Sequence, residues 1–234
     1  MRSADIVGIS SMATRLVLAE LGGAYQRKTG RSVTIESVGG VDAARRLRAG
    51  EHFDIVVLAD EVMKQLEADG CLEPESRVGF AESAIALAVG AGAKCPSLSD
   101  EAATKAAIVA ARSICYSTGP SGAHVMKLLE KWGIAQPMAQ RVVKAPPGVA
   151  VGTLVARGDA ELGFQQLSEF LDVDGIKIVG PLPPEIQSVT LFSCGVGAHA
   201  SNRAETRDLI GYLASSEADA AKRRHGMEPP RPRP

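Results

Sequence analysis

Five helical runs in this chain end at a glycine, at Gly30, Gly50, Gly70, Gly133 and Gly158, and an aliphatic run comes after each of them. That alternation constrains the fold more than any other feature. Ile6-Val7-Gly8-Ile9 reads as a short strand, and Met12, Leu16, Ala19 and Gly23 then fall at helical spacing up to Gly30. Ser32 to Glu36 is a second strand, followed by a helix from Val41 to Ala49. Asp54 to Leu58 is a third strand, and the uninterrupted apolar run Ile55-Val56-Val57-Leu58 suits a central parallel position. A helix from Glu61 to Ala68 completes a third βα unit. Successive βα units imply a parallel sheet covered by helices, since a parallel crossover needs a helix to return the chain.

The pattern repeats in the middle of the chain. Strands are expected at 83–89, 113–116, 141–144, 161–164 and 176–179, with helices at 101–111, 121–132 and 149–156. A stiff break, Gly180-Pro181-Leu182-Pro183-Pro184, precedes a long strand from Ser188 to Phe192. Helices at 203–214 and 217–224 lead to a loose Pro/Arg tail. Two βα blocks joined by two long strands suggest a two-lobed α/β fold. Lobe one is expected at 1–81 plus 188–234 and lobe two at 82–187, with hinge strands near 82–89 and 188–193. In that arrangement both sets of strand ends face one cleft. A single continuous doubly wound sheet is the alternative.

Composition excludes several classes. Aromatics are 4% of the chain and the net charge is −1, which argues against base stacking and against electrostatic binding of nucleic acid. No apolar run reaches the length of a membrane span. The four cysteines and four histidines are dispersed, with no metal-ligand spacing, so neither a metal nor a cofactor is expected. Met1-Arg2-Ser3 leads straight into the first strand, which reads as cytoplasmic; a leader ahead of it would make the protein periplasmic.

The turns at strand ends carry the chemistry. Ser10-Ser11 lies between a strand and a helix, where hydroxyls and free N–H groups attract an oxyanion. Plain N-capping explains the same serines equally well. Gly39-Gly40 forms the second such turn and permits close backbone approach. Ser117-Thr118-Gly119-Pro120-Ser121-Gly122 is the strongest local signal: Pro120 suits a first helical position, and Ser117, Ser121 and Gly122 offer hydroxyls and N–H groups. On this reading Ser121→Ala with a bulky residue at Gly122 abolishes binding with little loss of fold. Gly148, in Pro146-Pro147-Gly148-Val149, repeats the logic. Arg15, with Arg45 or Arg46, is a candidate carboxylate clamp, although such arginines are more often solvated helix-face charges. Gln165, at a strand end, is a candidate amide donor, and His124 a candidate acid/base.

These segments resemble the molybdate-binding type of ABC-transporter substrate-binding protein. The resemblance lies in Ser10-Ser11, in Leu47-Arg48-Ala49-Gly50 with Asp54 to Asp60, and in Val155 to Gly163. It continues in Ala214-Ser215-Ser216-Glu217-Ala218 before His225-Gly226-Met227. It implies a periplasmic-binding-protein-like fold in which each lobe is a mostly parallel sheet flanked by helices, with an anion held between the lobes. It implies ligand contacts from Ser11, Gly40, Ser121 and Gly148, an ABC-transporter permease as partner if the protein is exported, and a monomer. The second-turn serine of the molybdate binders is glycine here, and their tyrosine falls on Gln165. The turns Gly119-Pro120-Ser121-Gly122 and Gly163-Phe164-Gln165-Gln166 resemble instead a subgroup akin to aconitate isomerase. Three functions are therefore open: a receptor for a small oxyanion or carboxylate, an isomerase of an unsaturated di- or tricarboxylate using His124, or a soluble anion sensor with neither partner nor activity.

Overall fold

The computed structural model describes residues 5–146 and 148–231. In chain order the regular elements are β1 (Ile6–Ser11), α1 (Arg15–Thr29), β2 (Val33–Val38), α2 (Gly40–Arg48), β3 (Ile55–Ala59), α3 (Asp60–Ala68) and β4 (Val78–Gly90). They continue with α4 (Glu101–Ala110), β5 (Ile114–Tyr116), α5 (Pro120–Lys131), α6 (Ala135–Met138), β6 (Val142–Lys144), α7 (Val151–Ala156) and β7 (Leu162–Gln166). The last elements are β8 (Ile176–Pro181), β9 (Val189–Val196), α8 (Arg203–Ala214) and α9 (Asp219–Arg224). All five expected helix-ending glycines sit just past a helix with positive φ, between 67° and 87°. A side chain would be strained there, so each glycine stops its helix where the sequence suggests.

The chain divides into two compact units, residues 1–83 with 191–234, and residues 84–190. Both boundaries fall inside strands, β4 and β9. In the first unit the strand order is β2-β1-β3-β9, with β1 parallel to β2 and β3, and β9 antiparallel to β3. Strand β3 shows why this layer is stable. Every one of its residues is buried. Ile55, Val57 and Ala59 face one apolar cluster with Leu18, Leu21 and Leu209, while Val56 and Leu58 face another with Leu47 and Leu66. The two-residue period of a strand thus feeds two cores at once.

In the second unit β7, β5 and β6 run parallel, and β4 pairs antiparallel with both β7 and β8. Ile85, Leu87 and Val89 enter a cluster with Leu129 and Phe164, whereas Ala86 and Ala88 enter one with Val151, Val155 and Phe170. Small alanines on that second face let α7 pack close to the sheet.

Local corrections have clear causes. The helix after β1 opens with a 3-10 turn at Met12–Thr14, because the Thr14 hydroxyl donates to the Ser11 carbonyl at 3.0 Å. Helix α7 starts two residues later than expected, since Gly148 stands at φ 77° in a Pro146–Val149 turn that precedes it. The expected strand at 161–164 continues through Gln165 and Gln166, which places both amides inside the sheet.

Candidate functional site

In the first unit the parallel register aligns Ser10 with Ser37 and Ser11 with Val38, so both turns open at the same edge of the sheet. The Ser10 hydroxyl meets that of Ser37 at 2.8 Å. The Ser11 hydroxyl is buried and has no hydrogen-bond partner, and it caps nothing. A buried polar atom without a partner costs about 1–3 kcal/mol until water or a ligand atom reaches it. A Cβ built on Gly39 or Gly40 meets no atom within 4 Å, so the second turn leaves open space.

Two of the three clamp candidates pair with carboxylates of the protein. Arg45 binds Asp42 of its own helix at 2.5 Å, and Arg46 bridges Glu36 and Glu51 at 2.9 and 2.5 Å. Both guanidiniums are paired with neighbouring carboxylates, Arg45 exposed and Arg46 largely covered. Arg15 is exposed at the first position of α1. The third turn of this unit carries Asp60, buried against Ser193 and Arg77 at 2.6 Å each and Lys64 at 3.3 Å. Burial alone would push the Asp60 carboxyl up, but these three bonds outweigh it and hold it below its usual range.

In the second unit the carboxyl ends of β7, β5 and β6 lie side by side. From β5 the chain enters the Ser117–Gly122 turn, where the Ser117 and Ser121 hydroxyls pair at 2.9 Å. No side chain caps α5; its N-cap is Gly119. The Ser117 Oγ also accepts from the Gly119 N–H at 3.3 Å, and one proton of the hydroxyl pair is left for a further partner. Gly122 corrects the expectation that a bulky residue is tolerated: a Cβ there would stand 1.8 Å from the Ser117 carbonyl oxygen. Gly148 is exposed and has no neighbour in Cβ reach.

Gln165 is 2% exposed and held at both ends of its amide. Its Oε1 accepts from the Val151 N–H at 3.0 Å, and its Nε2 donates to Glu169 Oε2 at 2.6 Å. It therefore braces the site, with one amide proton left over. His124 has its Nε2 2.8 Å from the Ile186 carbonyl, so Nε2 carries the proton and, in the neutral ring, Nδ1 is the acceptor.

Glu169 is the residue that the sequence reading passed over. It follows β7 directly, in the 3-10 turn Leu167–Glu169. Burial pushes its carboxyl up from 4.5 to about 7, and the Gln165 bond only partly offsets this. No ion-pair partner reaches it among the described residues. The available signal was an acid inside Leu167-Ser168-Glu169-Phe170-Leu171, immediately after a strand.

That carboxyl couples stability to pH. The folded state binds a proton at Glu169 between about pH 4.5 and 7 that the unfolded chain has released. Stability therefore falls as pH rises through this window. Glu169→Gln is expected to remove about 2 kcal/mol of that fall, somewhat less than the full shift implies because the residue is partly exposed. Urea unfolding at pH 5 and pH 8 measures it; parallel changes in both proteins would refute the coupling.

Cys115 and Cys194 are buried and held as thiols. Burial pushes Cys115 up to about 11 and raises Cys194 as well. Among the described residues no group of His, Cys, Asp or Glu is arranged to hold a metal ion, and no helix is long and apolar enough to cross a membrane.

A family model for bacterial extracellular solute-binding proteins matches residues 6–228. The chain belongs to this family. It is also 34% identical over 226 residues to an aconitate isomerase of Pseudomonas sp, covering 94% of this chain and 86% of that protein. Two solved structures illustrate the likeness in shape. The periplasmic molybdate-binding protein of Azotobacter vinelandii superimposes with a TM-score of 0.81 at 20% identity, covering 97% of this chain and 100% of that one. Peb3 of Campylobacter jejuni, solved with L-phospholactate, gives 0.73 at 18% identity, covering 96% and 99%. At such identities the likeness concerns the fold.

Proposed function

We propose that this protein binds a small unsaturated di- or tricarboxylate through its serine turns and isomerises it by an aconitate-isomerase-like proton shift. The observation that carries the binding half is the buried, unpartnered Ser11 hydroxyl beside the open ground of Gly39 and Gly40. A hydroxyl donor takes one carboxylate oxygen, and the side-chain-free second turn leaves room for a ligand larger than a tetrahedral oxyanion. In the second unit the Ser117 and Ser121 hydroxyl pair offers a carboxylate the same kind of donor. The reaction half is supported by the 34% identity to an aconitate isomerase.

Thermal-shift titration with the aconitates, citrate, molybdate, tungstate, sulfate and phosphate tests the binding. A ligand at about a hundred times its Kd adds about 2.7 kcal/mol of apparent stability. An aconitate is expected to give the largest shift, and proton NMR in D₂O is then expected to show label entering its methylene carbon. Ser11→Ala is expected to weaken that ligand at least tenfold while leaving unfolding stability unchanged or raised, because the buried hydroxyl has no partner within the protein. Ser121→Ala is expected to weaken the same ligand.

The fold shared with the molybdate-binding protein supports a second reading, a non-catalytic anion receptor that delivers its ligand to an ABC-transporter permease. A shift with molybdate or tungstate alone, and no label exchange in any carboxylate, decides for it.

A further inference from the structure

We propose that Glu169 is the acid/base that moves the proton in this isomerisation, with Gln165 as its positioning residue. The inference rests on the polycarboxylate reading above. Three observations point to it. Glu169 leaves β7 at the carboxyl end, and β7 pairs in parallel with β5, whose own carboxyl end opens into the Ser117–Ser121 turn. The carboxyl is partly buried without a cation, so nothing fixes it as a structural ion pair. Gln165 grips only Oε2, at 2.6 Å, and is itself locked by the Val151 N–H, so Oε1 is left oriented and unoccupied by that bond.

A carboxyl in such surroundings titrates near neutral pH, where a general base is most effective. Arginine, lysine or histidine would hold it permanently ionised and weaken it as a base. Among the described residues no charged group bears on it; burial and the Gln165 amide alone set its affinity for a proton. His124, the sequence candidate, spends its Nε2 proton on the Ile186 carbonyl.

The step balances with one group. Ionised Glu169 removes a proton from the methylene carbon next to the substrate's double bond. The C–H electron pair becomes the new C=C bond, and the old π pair moves onto the far allylic carbon and its carboxylate. Hydroxyl donors from Ser117 and Ser121 stabilise the charge that gathers on that carboxylate. Glu169 then delivers a proton to the far carbon, either the one it removed or one exchanged from solvent. The double bond has moved one position, and nothing is oxidised, reduced or released.

Glu169→Gln keeps the shape and still accepts the Gln165 bond, so folding and binding are expected to survive. The readout is exchange and isomerisation of cis- and trans-aconitate by NMR in D₂O, paired with thermal shift by the same compounds. Isomerisation is expected to fall at least a hundredfold while the ligand-induced shift is retained. In the unaltered protein the rate is expected to rise with pH through about 7. Gln165→Met removes a bond that favours the ionised carboxylate, so its rate profile is expected to move to higher pH. If Glu169→Gln isomerises at the unaltered rate, or if His124→Gln abolishes turnover while Glu169→Gln does not, the assignment to Glu169 is overturned. If the unaltered protein shows no shift with either aconitate, the polycarboxylate reading fails first, and Glu169 with it.

Discussion

Gly122→Ala is expected to destabilise the protein by about 3 kcal/mol or more, which is severe for the addition of one methyl group. The new Cβ would stand 1.8 Å from the Ser117 carbonyl oxygen, 2.7 Å from the Tyr116 ring and 2.8 Å from the Ser117 carbonyl carbon. Two of these three atoms are backbone, so no rotamer change relieves the overlap. The chain between Ser117 and Ser121 must open, and that motion breaks the 2.9 Å hydroxyl pair. Binding and fold should therefore fail together. Urea unfolding is expected to show a midpoint lower by roughly 1 M or more. Gly40→Ala is the matched control. Its Cβ meets nothing within 4 Å at the first position of α2, so its stability should stay within about 1 kcal/mol of the parent. Equal stabilities for the two variants would refute the close-packed turn.

Asp54→Ala is expected to cost about 2–4 kcal/mol by a different route. Asp54 stands just before β3 and is 6% exposed. Its carboxylate accepts from the Val7 N–H at 3.0 Å, the Ser201 and Asn202 N–H groups at 2.8 and 3.1 Å, and the Asn202 amide at 3.3 Å. One side chain thus ties the start of β1 to the start of α8. Alanine removes all four acceptor contacts and leaves the donors unsatisfied. Asp54→Asn should lose less, because its Oδ1 can still accept from Ser201 and Asn202. These contacts lie at the amino ends of β1 and β3, opposite the Ser10-Ser11 turn. The variant that remains folded should bind ligand with unchanged affinity. A melting temperature equal to that of the parent would mean that water replaces the carboxylate freely.

Gly122 and Asp54 also show where reading the chain alone stops. Both were visible in the sequence, Gly122 as an N–H donor and Asp54 as the first residue of a strand. Their roles depend on atoms contributed by other segments. The same holds for Arg45 and Arg46: their place one turn into a helix suggested a clamp, but Asp42, Glu36 and Glu51 take them up. Gln165 was placed at the right strand end, yet its amide turns out to hold Glu169 and Val151. Glu169 was overlooked because an acid in a short loop looks solvated until the burial around it is known.

The sequence by itself determined the βα alternation, the helix stops, and the serine turns at strand ends, because these depend on local period, glycine conformation and proline at a helix start. It also carried the resemblance to solute-binding proteins that the family comparison bears out. Only the tertiary structure decided which of those turn residues keep a free polar atom, which are spent on neighbours, and which carboxyl loses its water. Hydrogen-bond completion and desolvation are properties of the packed chain, set by residues as far apart as Val7 and Asn202, and no local pattern encodes them.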